Sequence, residues 1–179
     1  MPTNRRNFIR QSALATAGAG MLGSMTTPVW GSGLTPPASE KINVALIGCR
    51  NMGFGILKHH LNNPEVNCVA LCDVDENVLN EKAAEIKKNH NQSPKLYRDF
   101  RKLLEQKDID AVIIGTPDHW HCLIMVSAVQ AGKHVYVEKP MANTIAECDI
   151  MVKAANYYKK TVQVGQQQRS GFIFRKANE

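Results

Sequence analysis

Residues Ala45–Gly55 read ALIGCRNMGFG. The stretch begins apolar and ends in a run punctuated by glycines, the order expected where a buried strand enters a sharp turn and a helix follows. Gly48 permits the turn, and Gly53 lets the next helix lie close to the strand. Arg50 stands between them, where a third glycine would let the backbone close on an anion. Its side chain takes up that space but carries a fork of donors that can embrace an oxyanion. A free helix N-terminus at this place, with its N–H groups and positive dipole end, favours phosphate.

Working outward from this turn, the chain alternates between strand and helix patterns. INVALIG is a continuous apolar run, as in a strand buried on both faces. The spacing predicts a helix over Asn51–Leu61, stopped by Asn62, Asn63 and Pro64. VNCVALCD reads as a second strand, followed by an amphipathic helix from Glu76 to His90 with Leu79, Ala83 and Ile86 on one face. KLY is a short third strand, and Asp99 caps a brief helix holding Phe100, Leu103 and Leu104. DAVIIGTP is the fourth strand. The next helix is expected from about His119 to Ala131, ending at Gly132. HVYVEKP is the fifth strand. Thr144 and Glu147 have capping-box spacing and open a helix to Tyr158, and TVQVG is the sixth strand. Parallel strands joined by helical crossovers make an α/β fold, a doubly wound parallel sheet with helices on both faces.

In such a sheet the ligand sits beyond the carboxyl ends of the strands. Asp73 ends the second strand 20 positions after Gly53, where a carboxylate accepts hydrogen bonds from an adenosine ribose. Together these features point to a Rossmann dinucleotide site built on Gly48, Arg50, Asn51, Met52, Gly53 and Asp73. A carboxylate at Asp73 repels a 2′-phosphate, so NAD is expected, with NADP possible if Arg50 reaches the 2′ position. The alternative role for an acid here, capping the next helix, suits Asp75 better than Asp73.

Composition narrows the classes. Hydrophobic residues make up 44% and charged ones 21%, which is enough apolar material for a packed core. Half of the net charge of +6 comes from Arg5, Arg6 and Arg10 in the first 33 residues, which hold no acid. No dense basic stripe with interleaved aromatics remains, which sets nucleic acid aside. Residues 1–33 read as a twin-arginine-type signal peptide: Arg5-Arg6, then Phe8-Ile9, then the weakly apolar run SALATAGAGMLGSM, too short and Gly/Ala-rich for a stable membrane span. Periplasmic export is therefore expected, with residues 34–40 as a linker. Cys49, Cys68, Cys72, Cys122 and Cys148 contain no C-x-x-C pair and read as small buried thiols. His59, His60 and His90 read as surface residues and His119 as a solvated helix start. No metal site is expected.

The stretches GTPDHWH (115–121), YVEKPMA (136–142) and VQVGQQQRS (162–170), with GCRNMGFG and CDVD, give a closer reading. Over Lys41–Ser170 the chain resembles the N-terminal domain of the Gfo/Idh/MocA oxidoreductases, the glucose–fructose oxidoreductase and inositol dehydrogenase family. Arg50 departs from that family's glycine. The resemblance implies that Lys139 is catalytic, lying near the nicotinamide and the reacting carbon. It implies further cofactor contacts from Thr116, Pro117, His121, Glu138 and Lys139, with Trp120 as a wall of the site. Pro140 would fix the turn, with a cis bond before it as one option. His121 stays open between cofactor contact and helix-end packing. The family also implies a Rossmann domain over 41–165, residues 166–179 as the start of a connection to a second α/β domain, and a homo-oligomer in the full-length protein.

Three functions compete at this stage. One is an NAD(P)-dependent oxidoreductase transferring hydride at a hydroxyl-bearing carbon of a sugar or polyol. Another is an NAD-dependent glycoside hydrolase of the same superfamily; an intact Glu138-Lys139-Pro140 argues against it, because those enzymes resemble the family least there. The third is a dinucleotide-binding domain without catalysis of its own.

Overall fold

The computed structural model describes residues 41–177; the expected signal peptide and linker lie outside the described residues. Six strands form one parallel sheet: β1 (Ile42–Ile47), β2 (Val66–Cys72), β3 (Lys95–Tyr97), β4 (Ala111–Ile114), β5 (His134–Glu138) and β6 (Val162–Gly165). Their order is β3-β2-β1-β4-β5-β6. The connecting helices are α1 (Asn51–Leu61), α2 (Glu76–His90), α3 (Phe100–Leu104), α4 (His121–Gln130) and α5 (Ile145–Tyr158), with α6 (Phe172–Lys176) after β6. This is the doubly wound α/β sheet expected. Its strand order reverses between β1 and β4, which places a crevice at their carboxyl ends.

The central strands are mostly apolar because they face two layers, while the edge strands β3 and β6 are more exposed. Val44 and Leu46 point to a core shared with Phe54, Leu57 and Ile86 from α1 and α2. Ala45 and Ile47 point to the other core, with Phe100, Leu103, Met125 and Met151 from α3, α4 and α5. Leu46, Leu57, Leu71 and Leu103 are fully buried, and each contributes about 1.5–3 kcal/mol by leaving water. Strand β2 breaks the alternation. Val44 pairs with Cys68 and Ala45 with Ala70, so Val69 is an extra residue, a bulge. As a result Val69 and Ala70 both pack on the α3–α5 side, while Cys68 and Leu71 pack on the other.

Side-chain caps set three of the helix starts. Asp75 Oδ1 accepts the N–H groups of Asn77 and Val78 at the start of α2. Asp99 accepts that of Arg101 at the start of α3. Thr144 and Glu147 close the expected capping box on α5. The helix expected from about His119 differs. Asp118–Trp120 forms a 3-10 turn and the α-helix begins at His121. The Asp118 carboxylate takes the N–H of His119 at 3.0 Å, and Trp120 N–H reaches back to the Pro117 carbonyl at 3.0 Å. These local bonds tighten the first turn. His60 is also less exposed than expected: its ring stands edge-on to Tyr136, 5.6 Å away.

Candidate functional site

Three glycines shape the crevice. Gly48 closes β1 at φ +89°, and its N–H bonds the Cys72 carbonyl at 2.8 Å. A Cβ on Gly48 would stand 2.7 Å from the backbone of Gly115 and Thr116. One on Gly53 would collide with the Gly48 carbonyl, and one on Gly115 with Gly53. The loop after β1, the first turn of α1 and the end of β4 therefore meet backbone to backbone, in a cradle that no side chain fills. Arg50 caps α1 with extended backbone, φ −87° and ψ 159°, and adds no side-chain bond to the helix end. Asn51 follows with φ 36°, and Asn51 and Met52 are exposed at the head of the helix.

Asp73 stands at the end of β2 and joins two loops. Its Oδ2 accepts the Cys49 N–H at 2.8 Å and its Oδ1 accepts the Asp75 N–H at 3.1 Å. These bonds fix the carboxylate on the crevice wall, and its remaining lone pairs are available to a ribose. Arg50 reaches across to the carboxylate of Asp75. Cys49 and Cys72 lie beneath this surface. Burial and the nearby Asp73 carboxylate push both thiols up, Cys72 to about 12, while burial alone takes Cys68 to about 12. They are inert protonated thiols at neutral pH, as expected. Among the described residues there is no cluster able to hold a metal ion.

The crevice has a volume of about 560 Å³ and is lined by Gly48, Asp73, Arg98, Phe100, Thr116 and Trp120, among others. Trp120 forms part of the wall, with its ring edge-on to Phe100 at 6.5 Å. The Thr116 hydroxyl is buried and has no hydrogen-bond partner among the described residues. A buried hydroxyl without a partner is costly unless a ligand supplies one. Together with the glycine cradle and the Asp73 carboxylate, it fits a dinucleotide, whose pyrophosphate needs close backbone and whose ribose offers hydroxyl donors.

The second group of expected residues is organised differently. The His121 ring is buried, with Nδ1 at 2.8 Å from the Pro140 carbonyl and Nε2 at 2.9 Å from the Thr116 carbonyl. Both nitrogens face backbone carbonyls, and the ring's N–H donates to one of them according to the tautomer, so the ring packs between the two loops. Glu138 is buried, and its Oε1 accepts from the Gln167 amide at 2.6 Å. Lys139 is exposed at the end of β5, and the Lys139–Pro140 bond is cis. Gly48, Arg50, Asp73, Thr116 and Pro117 line this crevice; Asn51, Met52, Gly53, His121, Glu138 and Lys139 do not line it.

Sequence reasoning missed the contribution of β3. Arg98, Asp99, Phe100 and Arg101 line the crevice together with Gly48. The signal was present, because RDF directly follows a parallel strand, at the same edge of the sheet as Gly48 and Asp73.

The sequence profile GFO_IDH_MocA, described as an oxidoreductase family with an NAD-binding Rossmann fold, matches residues 42–166. A Glycosyl hydrolase family 109 protein of Shewanella baltica is 30% identical over 174 residues, covering 88% of this chain and 38% of that protein. The WlbA dehydrogenase of Bordetella pertussis, solved with NADH and UDP-GlcNAcA, superposes with a TM-score of 0.65 at 26% identity, over 75% of this chain and 40% of that one. The myo-inositol 2-dehydrogenase of Lactobacillus plantarum superposes at 0.66 with 27% identity, over 76% and 40%. The chain thus spans about two fifths of the length of these relatives. With a parallel sheet in the order β3-β2-β1-β4-β5-β6 and the glycine turn, Asp73 and Glu138-Lys139-Pro140 at its carboxyl edge, the chain belongs to the Gfo/Idh/MocA oxidoreductase family and carries its NAD-binding Rossmann domain.

Proposed function

We propose that this chain is the cofactor-binding part of an exported NAD-dependent oxidoreductase that oxidises or reduces a hydroxyl-bearing carbon of a sugar or polyol. The observation that carries the reading is one crevice lined by both the Asp73 carboxylate and Thr116, whose buried hydroxyl has no partner among the described residues, beside the strand end that presents Lys139. Bound NAD supplies or accepts the hydride. Asp73 holds the adenosine ribose, the glycine cradle admits the pyrophosphate, and Lys139 hydrogen-bonds the substrate hydroxyl. Sugar-nucleotide and inositol enzymes among the structural relatives support a polyhydroxylated substrate. Residues 166–179 lead toward a further domain that completes the substrate pocket in a homo-oligomer, and Arg5-Arg6 direct export. A reporter fused to residues 1–40 should reach the periplasm, and changing both arginines to lysine should stop it.

In the full-length protein, Lys139→Ala should lower kcat/KM by on the order of 10²-fold, the scale of a lost acid/base group, while NAD affinity stays near that of the parent. Normal kinetics in that variant would make Lys139 structural. The glycoside-hydrolase reading is favoured by the name of the curated relative and opposed by the intact Glu138-Lys139-Pro140. Incubating the full-length protein with NAD and either free sugars or aryl glycosides separates the two. NADH accumulation on free sugars supports the dehydrogenase; release of the aryl group without net NADH supports the hydrolase.

A further inference from the structure

Three arginines line the crevice: Arg50, Arg98 and Arg101. A crevice with so many cations would normally welcome a phosphate group on the adenosine ribose. Two of the three, however, are already paired with an acid. Arg50 bonds the Asp75 carboxylate, and Arg101 bonds Asp99 at 3.2 Å while lying over the Phe100 ring. The Arg50 pair deserves separation from the rest because Asp75 has two tasks on two oxygens. Oδ1 caps α2, and Oδ2 holds Arg50. Its own N–H is taken by Asp73, so Asp73, Asp75 and Arg50 form one connected rim where the ribose 2′ position is expected.

We propose that Asp75 is a specificity-determining residue: by holding the Arg50 guanidinium, it denies that cation to a 2′-phosphate and keeps the crevice selective for the unphosphorylated dinucleotide. The proposal rests on the reading of the crevice as the NAD site. Asp73 repels a 2′-phosphate by its own charge, and Asp75 adds a second negative charge while occupying the nearest cation on the β1 loop. An exposed ion pair competes with a ligand by a factor of only up to about five. Removing one negative charge beside a phosphate dianion adds a comparable factor at low salt. The combined gain in NADP affinity is therefore roughly tenfold.

The variant that isolates this effect is Asp75→Asn, because asparagine caps a helix about as well as aspartate while losing the charge. Titrations of the full chain with NAD and NADP separately, at low salt, should show NADP binding strengthened roughly tenfold and NAD binding changed less than about twofold. Measured against Arg50→Gln alone, adding Asp75→Asn should strengthen NADP binding only about threefold, the share of the lost charge. Unchanged NADP affinity in Asp75→Asn would overturn the proposal, and so would a full, roughly tenfold gain when Asp75→Asn is added to Arg50→Gln, since the charge alone would then be responsible. Asp75→Ser, which also caps, carries the same expectation if the asparagine variant melts early. Binding of neither nucleotide by the parent protein would instead overturn the dinucleotide reading itself.

Discussion

The two halves of the sheet hold their loops by different means. On the β1–β3 side the crevice is made by the backbone of Gly48 and Gly53, which meets Gly115 at the end of β4, and is edged by exposed charge pairs such as Arg50–Asp75. On the β4–β6 side the loops are held by buried side chains. His121 spans two carbonyls, Glu138 holds Gln167, and the Lys133 ammonium donates to the carbonyls of Gln106 and Ile109 at 2.6 and 2.9 Å. Burial lowers the pKa of Lys133, yet those two carbonyls keep the group satisfied. Steric exactness and adjustable charge thus sit at the rim proposed to hold the nucleotide, and buried hydrogen bonds sit behind the strand end that carries Lys139. Salt and single charges should act on the first half, and loss of a polar core residue on the second.

The sharpest way to break this contrast is Gly53→Ala. Its Cβ would meet the Gly48 carbonyl, which is backbone and cannot swing aside. The expected loss is about 3 kcal/mol or more in urea unfolding. Gly55→Ala, two residues on, has open space around its Cβ and should stabilise α1 by about 0.5–1 kcal/mol. If both variants behaved alike, the cradle would have no steric role.

On the other half, His121→Phe keeps the ring volume but removes the donor between Thr116 and Pro140. A loss of about 1–3 kcal/mol is expected, insensitive to added salt. Partial recovery in His121→Gln, which restores a donor, would identify hydrogen bonding as the cause; equal loss in both would identify packing.

The buried thiols give a pH test on the first half. Cys68 and Cys72 rise from an ordinary value near 9 to about 12, and Cys49 rises as well. Their contribution is fully present below pH 9, where both folded and unfolded chains are protonated. Above it the unfolded chain releases protons that the folded chain keeps, so stability should fall by up to about 1.4 kcal/mol per thiol per pH unit up to about pH 12. Cys68→Ala should flatten that slope, and an unchanged slope would show that this thiol titrates freely in the folded protein. The smallest effect belongs to the exposed rim: Arg50→Gln should change stability by less than about 1 kcal/mol, and less still in high salt.

Legibility followed the range of the interaction. The capping box of Thr144 and Glu147, the stop at Gly132 and the cap at Asp75 all depend on residues within a turn of one another, so their spacing is visible in the chain. The central strands were visible because burial on two faces makes them largely apolar, and the short edge strands β3 and β6 were visible from their place in the alternation. The inward turn of His121 was not, since its partners are backbone carbonyls 5 and 19 residues away, which leave no mark on residue type. The meeting of Gly53 with Gly115, the pairing of Arg50 with Asp75 and the part played by Arg98 and Phe100 likewise arise only when distant strand ends are brought to one edge. Of the candidate site, the nucleotide end was largely readable from the glycines and Asp73, and the supports behind Lys139 were not.

The bulge at Val69 has a consequence for how this strand tolerates changes in length. Val44 pairs with Cys68 and Ala45 with Ala70, so the residue between Cys68 and Ala70 has no partner on β1. Deleting Val69 would join two stretches already in register, leaving Val66 and Cys68 on one core and Ala70 and Cys72 on the other, with Asp73 still at the rim. The middle of β2 therefore contains a site where the reading length of a buried strand can shorten by one residue without inverting which residues face which layer. A deletion in the paired stretch Val44–Ile47 of β1 would reverse that order for every residue beyond it.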